Sequence, residues 1–310
     1  MVNVKWKKIV AAASLITLGG ALLAPVHQVQ AADESWDRIQ KSGKIVVATS
    51  GAYYPSTFHS EVEGKDVLTG YDIEILRKVA EKLNLELEFK EMNTDGMLTA
   101  IKSGQADIVA NDYDITPKRE KEFLFSTPIK YSFGSIVVRE SDDSGIKSLD
   151  DFKGKKAAGE ATTKYMAIAE AKGAEAVTYD NGTLEQYIAD IHNGRTDFIP
   201  NDYYVQTIAI KNANKLFPDF KTKVGNVFYN PSKAAFVLNK ESVTLQEKIN
   251  QVLEEMRKDG SLAELSKKFY EGEDVSTEKE EIGGMKLKDL PVVTANSTTR
   301  SGQYVDFVFS

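Results

Sequence analysis

From Gly43 onward the chain alternates short β-branched runs with amphipathic helical patterns, and this alternation narrows the possible folds more than any other feature. The run "KIVVAT" (44–49) reads as a buried strand. The next pattern, "YDIEILRKVAEKLN", puts Ile73, Leu76, Val79 with Ala80, and Leu83 on one helical face, and "LELEFKEM" then reads as the following strand. Units of this kind predict an α/β fold whose parallel or mixed sheet is covered by helices. At 310 residues the chain has room for two such domains.

An internal echo supports two similar halves. "AIKSGQADIVAND" (100–112) and "DIHNGRTDFIPND" (190–202) match at Ile, Gly, Asp, Asn and Asp, and each reads helix, glycine stop, strand, Asn-Asp. Gly104 and Gly194 suit the left-handed position just past a helix C-terminus. The strands then carry Asn111-Asp112 and Asn201-Asp202 to their carboxyl ends, the edge at which open α/β sheets bind ligands.

The N-terminal 31 residues combine Lys5, Lys7 and Lys8, an apolar run from Ile9 to Ala24 and the small-residue pattern Val29-Gln30-Ala31, the layout of a cleavable secretory signal. A membrane anchor is the competing reading, against which stand the short run and its interruption by Gly19 and Gly20. Removing three lysines and no acid moves the net charge from -7 to -10. That balance argues against a nucleic acid partner, whose phosphates need basic patches. With no cysteine and three histidines, disulfides, thiolate metal sites and an N-terminal lipid-bearing cysteine are excluded, and a metal site is disfavoured.

Toward the C-terminus, "LQEKINQVLEEMRKDG" and "SLAELSKKFYEG" read as a helix pair broken at Gly260. After Gly272 the periodicity ends in a charged run, a glycine pair and a Ser/Thr-rich stretch. Residues 273–310 are therefore expected to be a flexible or loosely docked tail.

The stretch "NDYDITPKREKEFLFSTP" (111–128) concentrates the candidate chemistry. Thr116 followed by Pro117 signals a helix start, which places Arg119 in the first helical turn. A cation is misplaced there electrostatically. A bound carboxylate between the guanidinium and free backbone amides would resolve the tension, and so would a surface pairing with Glu120 or Glu122. Both remain open from spacing alone. Asp202 ends a strand in an apolar context, where an unpaired carboxylate is costly. Thr162 and Thr163 precede the helical pattern "KYMAIAEAK", where they either face an anion or simply cap the helix. Tyr53 and Tyr54 are strand neighbours pointing to opposite sides, one toward a cleft and the other into packing.

Read in order, "GAYYPSTF", "LTGYDIEI", "MLTAIKSGQADIV", "ITPKREKEFLFSTPI", "SLDDFKGKKAAGEATT" and "NGRTDFIPND" resemble the bacterial solute-binding proteins of polar amino acid ABC importers, over about residues 43–272. "FLFSTPIKYSFGSIVV" looks most like the cystine receptors. The resemblance implies a two-lobed periplasmic-binding-protein fold, each lobe a mixed sheet flanked by helices, joined by two crossing strands. Residues 43–134 plus 226–272 would form one lobe and 135–225 the other. It implies that Arg119 grips an α-carboxylate with Thr162 and Thr163, that Asp202 takes the α-ammonium, and that Tyr53 walls the side chain. It implies a monomeric extracytoplasmic receptor that hands a polar or cationic amino acid, or cystine, to a membrane permease, with no cofactor and no catalysis.

The chain departs from that family's pattern in three places. Thr94 stands where a bulky aromatic is usual, Asp114 stands where a Ser or Thr is usual with Asp112 close by, and the lipid-bearing cysteine is absent. With no protein cation evident beside Asp112 and Asp114, the sequence predicts a long ligand carrying a second positive group. Two rivals are a dehydratase on the same fold, using Asp112, Asp114 or Glu160 as acid or base, and a surface sensor or adhesion module using the tail.

Overall fold

The computed structural model describes residues 34–159, 163–179 and 184–295, apart from the side chain of Asp95. The expected signal segment 1–31 lies outside the described residues.

Two sheets organise the chain. In the first, the strand order is Glu86–Glu91, Lys44–Thr49, Ile108–Val109, Val237–Asn239, Phe123–Phe125. The first three run parallel, as the strand–helix–strand reading requires, and Val237–Asn239 is antiparallel to both of its neighbours. In the second sheet, Glu175–Thr178, Lys156–Gly159 and Phe198–Asp202 are parallel, and Lys130–Arg139 runs antiparallel to Phe198–Asp202.

Two strands carry the chain between the sheets. Lys130–Arg139 leaves the first sheet after Phe123–Phe125, and Tyr229–Ala234 returns to it before Val237–Asn239. They pair antiparallel, with Lys130 opposite Ala234 and Ser132 opposite Ser232. Gly134 sits where three strands meet, opposite both Asp202 and Tyr229. A Cβ there would come within 2.5 Å of the Tyr229 ring, so this register requires glycine.

The helices bury the faces their periodicity presents. Ile73, Leu76, Val79 and Ala80 of the helix Tyr71–Leu83 are buried as the 3.6-residue pattern demands. The same helix packs through Ile75, Leu76 and Val79 with Ile45 and Val47 of the first sheet and with Leu245, Ile249 and Val252 of the helix Val243–Lys258. Each such aliphatic contributes roughly 1.5–3 kcal/mol through burial. The second sheet has its own cores, one around Ile136, Val138, Phe152 and Phe198 and one around Ile188, Ile191 and Ile210. Gly104 and Gly194 follow the helices Thr94–Lys102 and Leu184–His192 at φ 70° and 72°, as the echo implied.

The segment after Gly272 differs from the sequence expectation through residue 295. Val275 is 1% exposed. Its carbonyl accepts the Tyr131 N–H at 2.8 Å, and its own N–H donates to Ser266 Oγ at 2.7 Å. Ile282, in a small hairpin of Glu281–Ile282 with Met285–Lys286, is buried in the first-sheet core. Farther on, Asn230 of the returning strand accepts from Val293 N–H at 2.7 Å and donates to Val293 O at 2.8 Å, while Val293 and Ala295 pack on the second-sheet core. Isolated anchors and backbone hydrogen bonds hold this segment, so no hydrophobic period announces it. Residues 296–310 lie outside the described residues.

Candidate ligand-binding site

The two Asn-Asp pairs of the echo converge on one lysine. Asp112 has φ 53°, and its N–H donates to Asp72 Oδ2 at 2.8 Å. Its carboxylate meets Lys130 Nζ at 2.5 Å, and the same ammonium lies 3.3 Å from Asp202 Oδ2. The three side chains are 7%, 4% and 3% exposed, so water cannot screen the cluster. Asp202 also caps the helix Tyr203–Leu216, accepting from Val205 N–H at 3.0 Å. Burial pushes the Asp112 carboxyl up against the pull of Lys130, to about 7 with Asp202, Asp72 and Asp114 adding to the rise. Burial likewise raises Asp72 to about 6, opposed by the Asp112 N–H and by Lys130. Lys130 itself is drawn down by burial, but Asp112 and Asp202 more than offset this and hold it well above the ordinary lysine value.

A second ion pair joins the two halves. Lys164, the first residue of the helix Lys164–Ala171, places Nζ 2.5 Å from Asp114 Oδ2, with 11% and 10% of the side chains exposed. Thr163 caps that helix by accepting from Met166 N–H at 3.1 Å. Thr162 lies outside the described residues.

Arg119 lies in the helix Pro117–Glu122, whose N-cap Thr116 accepts the Arg119 N–H at 3.2 Å, as the Thr-Pro signal predicts. The side chain is buried, donates from Nη1 to the Asp114 carbonyl at 2.9 Å and lies over the Tyr113 ring at 4.6 Å. Nε and Nη2 have no hydrogen-bond partner, and Arg119 makes no ion pair among the described residues. The surface pairing with Glu120 or Glu122 is not formed, and Glu122 pairs instead with Lys102. Burial lowers the guanidinium pKa, with Tyr113 and Asp114 acting against the shift.

Beside these groups lies a cavity of about 340 Å³. Ser50, Tyr53, Thr94 and Asn111 line it from the first half, and Gly159, Thr163 and Asn201 from the second. Val137, Leu184, Ile199, Val205 and Ile210 supply apolar lining. Tyr53 faces it, while Tyr54 is 45% exposed and packs on Phe58 at 4.7 Å, the division expected of strand neighbours. Asp112, Asp114, Arg119 and Asp202 are not among its lining residues.

One expectation is corrected: Asp112 and Asp114 do have protein cations, Lys130 and Lys164. The first comes from the crossing strand and the second from a helix of the other half, so topology rather than spacing creates both contacts. Sequence reasoning also missed Asp72. The available signal was a lone lysine inside the otherwise uncharged run "STPIKYSFGSIVV", because a cation in a buried strand demands a partner.

The profile of the bacterial extracellular solute-binding proteins, family 3, matches residues 45–272. The probable ABC transporter extracellular-binding protein YckB of Bacillus subtilis is 52% identical over 251 residues, covering 81% of this chain and 86% of that protein. Its crystal structure superposes with a TM-score of 0.71 at 51% identity, covering 84% of this chain and 99% of that one. The L-cystine-binding protein TcyA of Bacillus subtilis is 35% identical, covering 78% of this chain and 86% of that protein. The amino acid ABC transporter substrate-binding protein AbpA of Streptococcus pneumoniae, bound to L-arginine, is 26% identical with a TM-score of 0.66, covering 78% of this chain and all of that one.

Proposed function

The chain belongs to the bacterial extracellular solute-binding proteins, family 3, and from that premise we propose that it captures a zwitterionic amino acid between two closing lobes and presents it to the permease of an ABC importer. Its fold is the two-lobed α/β architecture of the periplasmic binding proteins. Its relatives are binding proteins of transporters rather than enzymes.

The observation that carries the reading is the buried guanidinium of Arg119, two of whose nitrogens lack a partner among the described residues. Leaving such donors unmade is costly, and a ligand α-carboxylate satisfies them bidentately. Thr163 caps the helix Lys164–Ala171, and in this reading it shares the carboxylate with Arg119, as Thr162 does. The ammonium is recognised by the acids opposite. Asp72, Asp112, Asp114 and Asp202 outnumber Lys130 and Lys164, so a positive group offsets charge there while Arg119 answers the carboxylate. Tyr53 and Thr94 border the side chain. The cystine and arginine bound by relatives are zwitterions of this kind.

Residues 43–134 plus 226–272 form one lobe and 135–225 the other, and the N-terminal 31 residues direct export and are cleaved near Ala31. The receptor acts as a monomer outside the cytoplasm, without a cysteine-borne lipid. Arg119→Ala tests the reading: calorimetric affinity for the amino acid that native mass spectrometry finds retained should fall by roughly two to four decades. An affinity within threefold of the parent protein would remove the carboxylate assignment.

A further inference from the structure

We propose that the ligand's side chain is uncharged: an apolar stem ending in a hydrogen-bond acceptor, received by the cavity between Val137, Leu184, Ile199 and Ile210. The inference rests on the receptor reading and narrows it to one substrate class.

Three observations carry it. First, no Asp, Glu, Lys or Arg lines the cavity among the described residues. A guanidinium, ammonium or carboxylate placed there would lose its hydration with no ionised partner among the described residues to replace it, which is the costly case for a buried charge. Second, the acids beside the cavity are committed. Asp112 and Asp202 hold Lys130, Asp114 holds Lys164, and Asp72 accepts the Asp112 N–H. None of these four carboxylates is among the residues that line the cavity, so the charge they hold in excess of the two lysines answers the α-ammonium and none stands within the cavity to pair a second cation.

Third, the polar wall offers donors. Asn111 Oδ1 is taken by Ser50 N–H and Oγ at 3.0 and 2.7 Å, and Asn201 Oδ1 by the Asp202 N–H at 2.8 Å. Each Nδ2 is thereby left as a donor with no acceptor among the described residues, on a residue that lines the cavity. Gln206 is engaged at both ends, Nε2 donating to Ile199 O and Oε1 accepting from Ser135 Oγ. Two amide donors over an apolar floor suit a carbonyl or thioether at the end of a stem of about four atoms. The Asn-Asp echo thus divides its labour, with the aspartates holding the lysine between the two halves and the asparagines reading the ligand.

The experiment titrates the protein, dialysed free of ligand, with glutamine, methionine, serine, arginine, lysine, glutamate and cystine by calorimetry, and repeats the series on Ala209→Leu. Ala209 lines the cavity from the helix Tyr203–Leu216, and leucine there fills space at an ordinary helical position. Glutamine or methionine should bind at least about tenfold tighter than any charged ligand or cystine, a gap of about 1.4 kcal/mol. Ala209→Leu should weaken the preferred ligand by about tenfold or more and leave serine within about threefold, with the melting temperature reporting that the variant is folded. Tenfold tighter binding of arginine, lysine, glutamate or cystine than of both neutral ligands would overturn the inference while leaving the receptor reading standing. Equal losses for serine and the preferred ligand in Ala209→Leu would overturn the cavity assignment. Absence of binding by every amino acid tested would remove the receptor reading and the inference with it.

Discussion

Replacing Lys130 with methionine removes the one cation that two buried carboxylates share. The contacts are 2.5 Å to Asp112 and 3.3 Å to Asp202. At an effective dielectric near 20 they amount to roughly 7 and 5 kcal/mol of gross attraction, most of which offsets desolvation of the three ions. Methionine keeps an unbranched side chain of similar length but strands both acids and gives up the ammonium's place 5.7 Å from the centre of the Tyr270 ring, so Lys130→Met should lose about 3–5 kcal/mol of unfolding free energy.

The pH dependence distinguishes this cause from lost packing. Asp112 and Asp72 have folded values raised to about 7 and about 6. A raised carboxyl contributes stability that is full below its unfolded value and is lost as pH rises through the folded one. Each of these acids therefore lowers stability as pH climbs from about 4 toward 7, with a slope of up to about 1.4 kcal/mol per pH unit for each proton released. Without the ammonium, Asp112 rises further and the loss extends above 7. Urea unfolding of the ligand-free proteins should show a deficit that is larger at about pH 8 than at about pH 5.5. Adding Asp112→Asn should recover part of it, because the asparagine does not ionise. A deficit under about 1 kcal/mol, or one independent of pH, would refute the argument that Lys130 neutralises these acids.

Truncation after Gly272 removes Val275 and Ile282 from the core and the Val293 bonds to Asn230; with Ile→Ala changes alone costing about 2–5 kcal/mol, the melting temperature should fall by at least several degrees in calorimetry, and an unchanged value would show that the segment only rests on the surface. Gly134→Ala forces a methyl group against the fully buried Tyr229 ring and should cost about 1–3 kcal/mol in urea unfolding, with a change below about 0.5 kcal/mol contradicting the close approach. Arg119→Ala, unlike Lys130→Met, should leave the unliganded melting temperature nearly in place, because the side chain's partners among the described residues are one carbonyl and one ring face.

The α/β fold, its helix faces and several local geometries were legible in the sequence because they follow from short-range rules. A 3.6-residue period fixes which side of Tyr71–Leu83 is buried, a Thr-Pro pair fixes where the helix holding Arg119 begins, and glycine past a helix end fixes the turns at Gly104 and Gly194. The repeated Asn-Asp words also marked the strand ends that meet at the site. Nothing local could say what those words meet. Lys130 reaches Asp112 across 18 residues and Asp202 across 72, and Lys164 reaches Asp114 across 50. Those separations are closed by the crossing strands, so the charge balance of the cluster was decided by topology. The segment after Gly272 was settled the same way, since single buried residues and backbone hydrogen bonds onto distant strands leave no periodic trace in the chain that carries them.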